Sequence, residues 1–155
     1  MKSALGILAL VVACNTGFAA DTGGSSSSMR SDPMMDRYTA ASEKQDWKSA
    51  AAAMQDALTK DPNNADYHNL YAYSLRRSGT SEMDQVFKHY NEALRLDPKH
   101  KGAHEYMGEA YLMLGNVAKA KEHLSALDKL CFFGCSEYTD LKKAIAEHEA
   151  KVVKQ

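Results

Sequence analysis

The sequence predicts an all-α fold: an α-solenoid of three helix-turn-helix hairpins that ends in a C-terminal capping helix. The first observation behind this prediction is an internal repeat with a spacing of 36 residues. Its members are His68, Tyr71, Ala72, Leu75 and Gly79, which recur as His104, Met107, Gly108, Tyr111 and Gly115. The second observation is that Asp-Pro occurs at 61–62 and again at 97–98, where proline ends one helix and can open the next. A repeat of this length is typical of stacked hairpins, because one hairpin cannot bury its own apolar face.

The spacing of apolar residues predicts seven helices, at about 33–44, 46–59, 64–78, 82–95, 99–114, 116–130 and 136–150. In the second of these, Trp47, Ala50 and Met54 recur at helical spacing and predict a buried stripe. No stretch alternates apolar and polar residues for long enough to predict a strand. Each predicted helix also has a polar face, as expected for hairpins that pack in one curved layer.

The N-terminus predicts export. An unbroken apolar run at 4–13 is too short to span a bilayer. Gly17 and Ala19 then supply the small residues of a cleavage site, so residues 1–19 are interpreted as a secretory signal peptide. Alternatively, the segment that ends in Cys14 resembles a lipobox, in which Cys14 would be lipidated. Either interpretation predicts a periplasmic or secreted protein.

The rest of the chain divides into three parts. Residues 20–31 are rich in Ser and Gly and are predicted to form a flexible tether. The three repeats are expected at about 32–63, 64–98 and 99–132, followed by a Cys-containing turn and the capping helix at 133–155. The net charge of −1 provides no broad positive field. We therefore expect no nucleic-acid partner, and no membrane association unless Cys14 is lipidated.

One copy of the repeat carries a family resemblance. It is written His104-x2-Met107-Gly108-x2-Tyr111-x3-Gly115-x4-Ala120-x3-Leu124. This pattern of large and small residues resembles the tetratricopeptide repeat, or TPR, of small exported bacterial proteins. In the resemblance, Gly108 and Ala72 occupy small slots that we expect to let the two helices of a hairpin approach closely. The resemblance implies a non-enzymatic adaptor, scaffold or assembly factor that binds a peptide segment or helix of another protein in its concave groove.

The resemblance also places a set of side chains on the open concave face, within reach of a partner. These are Asn69, Tyr73, Arg76, Arg77, Glu105 and Glu109. An Asn can bond a peptide backbone through both its donor and its acceptor, a Tyr adds a flat apolar surface, and an Arg can hold a carboxylate. The alternative is that Arg76 and Arg77 simply pair with Glu105 or Glu109 on the neighbouring hairpin.

The histidines do not predict a metal site. His68 and His104 occupy a slot that the family usually gives to Trp, so we expect them to pack as aromatic-sized residues. His100 and His104 have i, i+4 spacing, but no motif supplies a third ligand. The sequence also lacks a nucleophile–base pattern, a phosphate loop and a metalloprotease signature, so we expect no catalytic residues and no cofactor.

Cys131 and Cys135 are predicted to form a structural disulfide at the end of the third hairpin. Gly134 can take the left-handed conformation that ends helices and folds the chain back. The alternative function is that of a periplasmic thiol-redox or metal-handling protein that uses these two cysteines. Thiol oxidoreductases more often carry Cys-x2-Cys at a helix N-terminus, where the helix dipole lowers a thiol pKa.

Overall fold

The computed structural model describes residues 32–79 and 82–152. The predicted signal peptide at 1–19, the alternative lipidation at Cys14 and the tether at 20–31 lie outside the described residues. Within the described ranges the chain forms seven α-helices. They are α1 (Pro33–Glu43), α2 (Trp47–Lys60), α3 (Ala65–Arg77), α4 (Met83–Leu96), α5 (Lys101–Met113), α6 (Val117–Leu130) and α7 (Ser136–Val152). The all-α prediction is confirmed, with helix ends within two residues of those expected.

Local sequence explains where the helices begin. Asp32, Asp46, Asn64 and Asn116 each accept a hydrogen bond from a backbone N–H of the first helical turn. The turns inside the hairpins need a left-handed residue, and Gly79 and Gly115 supply it with φ of 77° and 71°. The first hairpin uses Gln45 at the corresponding place, with φ of 56°.

Hairpins α1–α2, α3–α4 and α5–α6 stack in chain order, α2 packing against α3 and α4 against α5. The apolar core lies in three clusters, one for each hairpin with its neighbour. The middle cluster is built around Val86, Tyr90 and Met107. No helix in the described part of the chain has the length and apolar character needed to cross a membrane.

The capping helix α7 packs against both α5 and α6. Leu141 and Ile145 of α7 are buried in the last core cluster. At Gly108 the nearest side-chain atoms belong to Leu141 of α7 rather than to the hairpin partner α6. A Cβ at Gly108 would lie 2.6 Å from Cδ2 of Leu141, so the glycine makes room for the capping helix.

Candidate functional site

Three aromatic residues from three helices form a continuous surface, which we call the aromatic shelf: Trp47, Tyr73 and Tyr106. The ring centroids of Trp47 and Tyr73 lie 5.5 Å apart, edge to face. Those of Tyr73 and Tyr106 lie 4.5 Å apart, with a tilt of 40°. All three side chains are only partly buried. The periodicity assigned Trp47 to a buried stripe, and nothing in it signalled that its ring meets Tyr73 of the next hairpin.

Arg77 lies over one end of the aromatic shelf. Its guanidinium carbon is 4.8 Å from the Trp47 ring centroid and 5.7 Å from that of Tyr73, distances at which a cation is attracted to the ring faces. The residue is exposed and lines a hollow of about 280 Å³ that also contains Trp47 and Asp46. The structure shows no ion pair between Arg77 and a carboxylate of residues 32–79 or 82–152. The alternative pairing with Glu105 or Glu109 is therefore not seen for Arg77.

Arg76, the adjacent residue, has a different environment. It is only 9% exposed, and its guanidinium donates to a carboxylate oxygen of Glu109 at 2.6 Å. The same group lies 5.5 Å from the Tyr73 ring centroid and 6.0 Å from that of Tyr106. The expectation that Arg76 is open to a partner is wrong, because tight packing of the second and third hairpins buries it. Its pairing with Glu109 confirms the alternative for this residue.

Asn69 and Glu105 are also buried, with exposed fractions of 4% and 8%. Burial first, and then three neighbouring carboxylates, raise the pKa of Glu105 to about 7. Those carboxylates belong to Glu109, Asp140 and Glu137. The last two lie on α7, outside the repeat pattern, so the spacing of the repeats carried no signal for them. These two predicted groove residues thus lie beneath the surface that a partner would meet.

A second hollow, of about 320 Å³, lies where α3 and α5 end beside α7. Its lining combines charged and apolar side chains: Arg76, Glu109, Leu112, Met113, Ala144, Glu147, His148 and Lys151. Met113 is more than half exposed there. The described surface therefore offers two separate features, the aromatic shelf with Arg77 and this hollow beside the capping helix.

The histidines are paired as well as packed. His68 Nδ1 lies 2.8 Å from Nδ1 of His89, and His104 Nδ1 lies 3.0 Å from Nδ1 of His123. His100 instead lies 3.1 Å from a carboxylate oxygen of Asp66. Among the described residues, no group of three or more His, Cys, Asp or Glu side chains is arranged to hold a metal ion.

Cys131 and Cys135 form a disulfide, with their Cα atoms 5.5 Å apart. Gly134 has φ of 85°, the left-handed conformation expected of it. Cys131 directly follows the last residue of α6, so it lies at a helix C-terminus rather than at the helix N-terminus typical of thiol oxidoreductases. The turn leaves Phe132 and Phe133 86% and 95% exposed, with their rings edge to face at 5.1 Å.

Stacked hairpins with repeated small and large slots define this protein as an α-helical repeat domain. Two tetratricopeptide repeat family models match it, at residues 36–82 and 81–147. The chain belongs to the tetratricopeptide repeat family.

Several known proteins resemble this chain. Over 101 residues it is 31% identical to the TPR repeat-containing thioredoxin TTL4 of Arabidopsis thaliana, covering 64% of this chain and only 14% of that protein. The TPR2B domain of yeast Sti1, in a complex with pHsp70, superposes with a TM-score of 0.68 at 20% identity, over 80% of this chain and 99% of that one. PcrH, in complex with the chaperone binding region of PopD, gives a TM-score of 0.63 at 16% identity, over 79% and 90%. Identities this low establish the shared fold alone.

Proposed function

We propose that this chain is a protein-interaction module that holds a segment of another protein along the aromatic shelf. The observation that carries the proposal is the shelf itself, in which Trp47, Tyr73 and Tyr106 remain partly exposed across three helices. Aromatic side chains supply large contact areas at low entropic cost and dominate many protein interfaces. Family membership supports the proposal, as do the two similar structures, which are complexes with pHsp70 and with the chaperone binding region of PopD.

The position of Arg77 indicates which partner chemistry fits. Its guanidinium lies over two rings of the shelf and has no carboxylate partner within the described chain. A planar guanidinium held against aromatic faces can still donate two parallel hydrogen bonds to a carboxylate. We infer a partner segment with an apolar side chain for the shelf and an Asp, Glu or terminal carboxylate for Arg77.

A matched pair of variants tests this proposal. The probe is a peptide selected from a random display library for binding to the folded protein. Arg77→Gln should weaken its binding about 5-fold or more, equivalent to about 1 kcal/mol, because the carboxylate loses its cation. Arg95→Gln is the control, since Arg95 is also an exposed arginine in the last turn of a helix but pairs with Glu92 on α4. Equal effects of the two substitutions, or no effect of Arg77→Gln, would contradict the proposal.

We also propose that the protein is exported. Support comes from the apolar run at 4–13 and the small residues Gly17 and Ala19. The intact mass of the protein recovered from a bacterial periplasm should correspond to a chain that begins near Ala20. A lipidated chain that begins at Cys14 would support the lipobox interpretation instead, and retention of residues 1–19 would contradict export by this route.

A further inference from the structure

The second and third hairpins are each bridged by a histidine pair with the same atomic arrangement. In the second, His68 of α3 faces His89 of α4 and its Nε2 lies 3.0 Å from the Pro62 carbonyl oxygen. In the third, His104 of α5 faces His123 of α6 and its Nε2 lies 3.1 Å from the Pro98 carbonyl oxygen. The ring centroids are 5.0 and 5.3 Å apart, so each pair meets through its Nδ1 edges rather than through stacked faces. The segment 32–61 contains no histidine, and the first hairpin therefore lacks such a pair.

The carbonyl oxygens determine where the protons lie. A carbonyl can only accept, so Nε2 of His68 carries a hydrogen and donates it to Pro62. In the neutral ring, Nδ1 of His68 is then a free acceptor, and the 2.8 Å contact requires His89 to donate from its own Nδ1. The same reasoning assigns a hydrogen to Nδ1 of His123 in the third hairpin.

Such a pair accommodates one added proton but not two. A first proton can be held between the two Nδ1 atoms. His68, now charged, donates from its Nδ1, and a neutral His89 accepts at its own Nδ1 once its hydrogen is on Nε2. A second proton leaves two N–H groups facing each other at 2.8 Å, with two positive charges in a partly buried site. The pair must separate before it can take up the second proton.

The surroundings do not offset this cost. Burial first, and then the facing histidine, lower the pKa of both His89 and His123 from 6.5 to about 4. Lys88 and Lys119 lower these two pKa values further, whereas Glu92 and Glu122 raise them only in part. Tyr71 and Tyr111 cover the two rings with aromatic surface.

We propose that the two histidine pairs are acid-sensitive links that hold the second and third hairpins closed only while each pair carries no more than one proton. An unfolded histidine protonates at about pH 6.5, so the unfolded chain binds more protons than the folded chain between about pH 6.5 and pH 4. The stability that these two pairs contribute is therefore fully present above pH 6.5 and falls as the pH decreases below it. Mild acid opens these two hairpins, with their groove-bearing helices α3 and α5, before it affects the first.

The double variant His89→Asn/His123→Asn tests the proposal. An Asn side-chain amide can place its nitrogen near the position of Nδ1 and donate to a neutral histidine, or rotate and accept from a charged one. Between about pH 7 and pH 5, with a chelator present, the melting temperature of the unchanged protein should fall by about 5 °C or more relative to that of the double variant. Glu105 is present in both proteins, so its opposite pH dependence cancels in this difference. His148→Asn is the matched control, because His148 faces no other histidine in the described chain, and it should retain the full decrease.

A second measurement applies even if the double variant does not fold. Nitrogen-15 NMR of the histidine rings in the unchanged protein should show His89 and His123 protonated at Nδ1 and titrating well below the ordinary histidine pKa of about 6.5. Hydrogen exchange at about pH 5 should also increase in α3–α6 more than in α1–α2. Equal pH dependence in the double variant and the unchanged protein, or ordinary titration of His89 and His123, would overturn the proposal.

Discussion

The second and third hairpins share their packing but differ on the face that a partner would meet. Both use a histidine pair and a left-handed glycine at the same positions of the repeat. At the groove positions, however, Arg76 and Arg77 of α3 correspond to Leu112 and Met113 of α5. Stacking constrains the residues between helices, whereas the exposed residues differ: α3 exposes the cationic Arg77 at the repeat position where α5 exposes the apolar Met113.

The largest effect is expected where the third hairpin meets its cap. Leu141 is fully buried and fills the space above Gly108, a role that no capping residue plays for the second hairpin. Leu141→Ala should lower the free energy of unfolding by about 2–5 kcal/mol, through lost apolar burial and the cavity left behind. Urea denaturation measures this change, and Lys142→Ala, an exposed neighbour on α7, serves as control. A loss below about 1 kcal/mol would show that α7 does not stabilise the last repeat.

The next prediction compares the stability cost of replacing two adjacent arginines, Arg76 and Arg77. Arg76→Ala should cost about 2–3 kcal/mol of stability, because it removes a buried ion pair that joins the second hairpin to Glu109 of the third. Arg77→Ala should cost about 0.5 kcal/mol or less, since its side chain is exposed. Thermal denaturation of the two variants side by side measures both values. Similar losses would mean that the two arginines do not have the distinct roles described above.

The disulfide belongs to the third hairpin alone. Its loop is short, so its removal should cost at most about 2 kcal/mol on the loop-entropy estimate. Reduction should lower the melting temperature by several degrees and increase hydrogen exchange in α7 before α1 to α4. Two free thiols in protein freshly isolated without reducing agent, or ready cycling at mild potentials, would instead favour the redox alternative.

The smallest effect concerns Glu105, which occupies the same position of its repeat as Asn69 does in the preceding one, and this effect depends on pH. The pKa of Glu105 is raised from 4.5 to about 7, so the folded state favours the protonated form. Stability from this group is present below about pH 4.5 and is lost as the pH rises through 7. Glu105→Gln should therefore stabilise the protein more at pH 8 than at pH 5, by about 1 kcal/mol or more. Asn69→Ala, which changes no titrating group, should show no such dependence; equal gains for Glu105→Gln at both pH values would contradict the assignment.

Sequence reasoning predicted the helices and the turn between the cysteines, but it did not predict how closely neighbouring elements pack. Helical spacing and the Asp-Pro punctuation predicted every helix of the described residues, and Gly134 correctly indicated the turn between the cysteines. The position of Arg76 in the repeat assigned this residue to the concave face of α3. The burial of its side chain depends on how closely the next hairpin packs, which periodicity does not encode. The acidic neighbours of Glu105 come from α7, which lies outside the repeat.

The central claim is that partners bind along the shelf formed by Trp47, Tyr73 and Tyr106. The most direct test is amide hydrogen exchange of the protein with and without the library-selected peptide. The account predicts new protection at the N-terminus of α2 and along α3 and α5, with little change in α4 and α6. Protection concentrated in α4 and α6, with α3 and α5 unaffected, would contradict it.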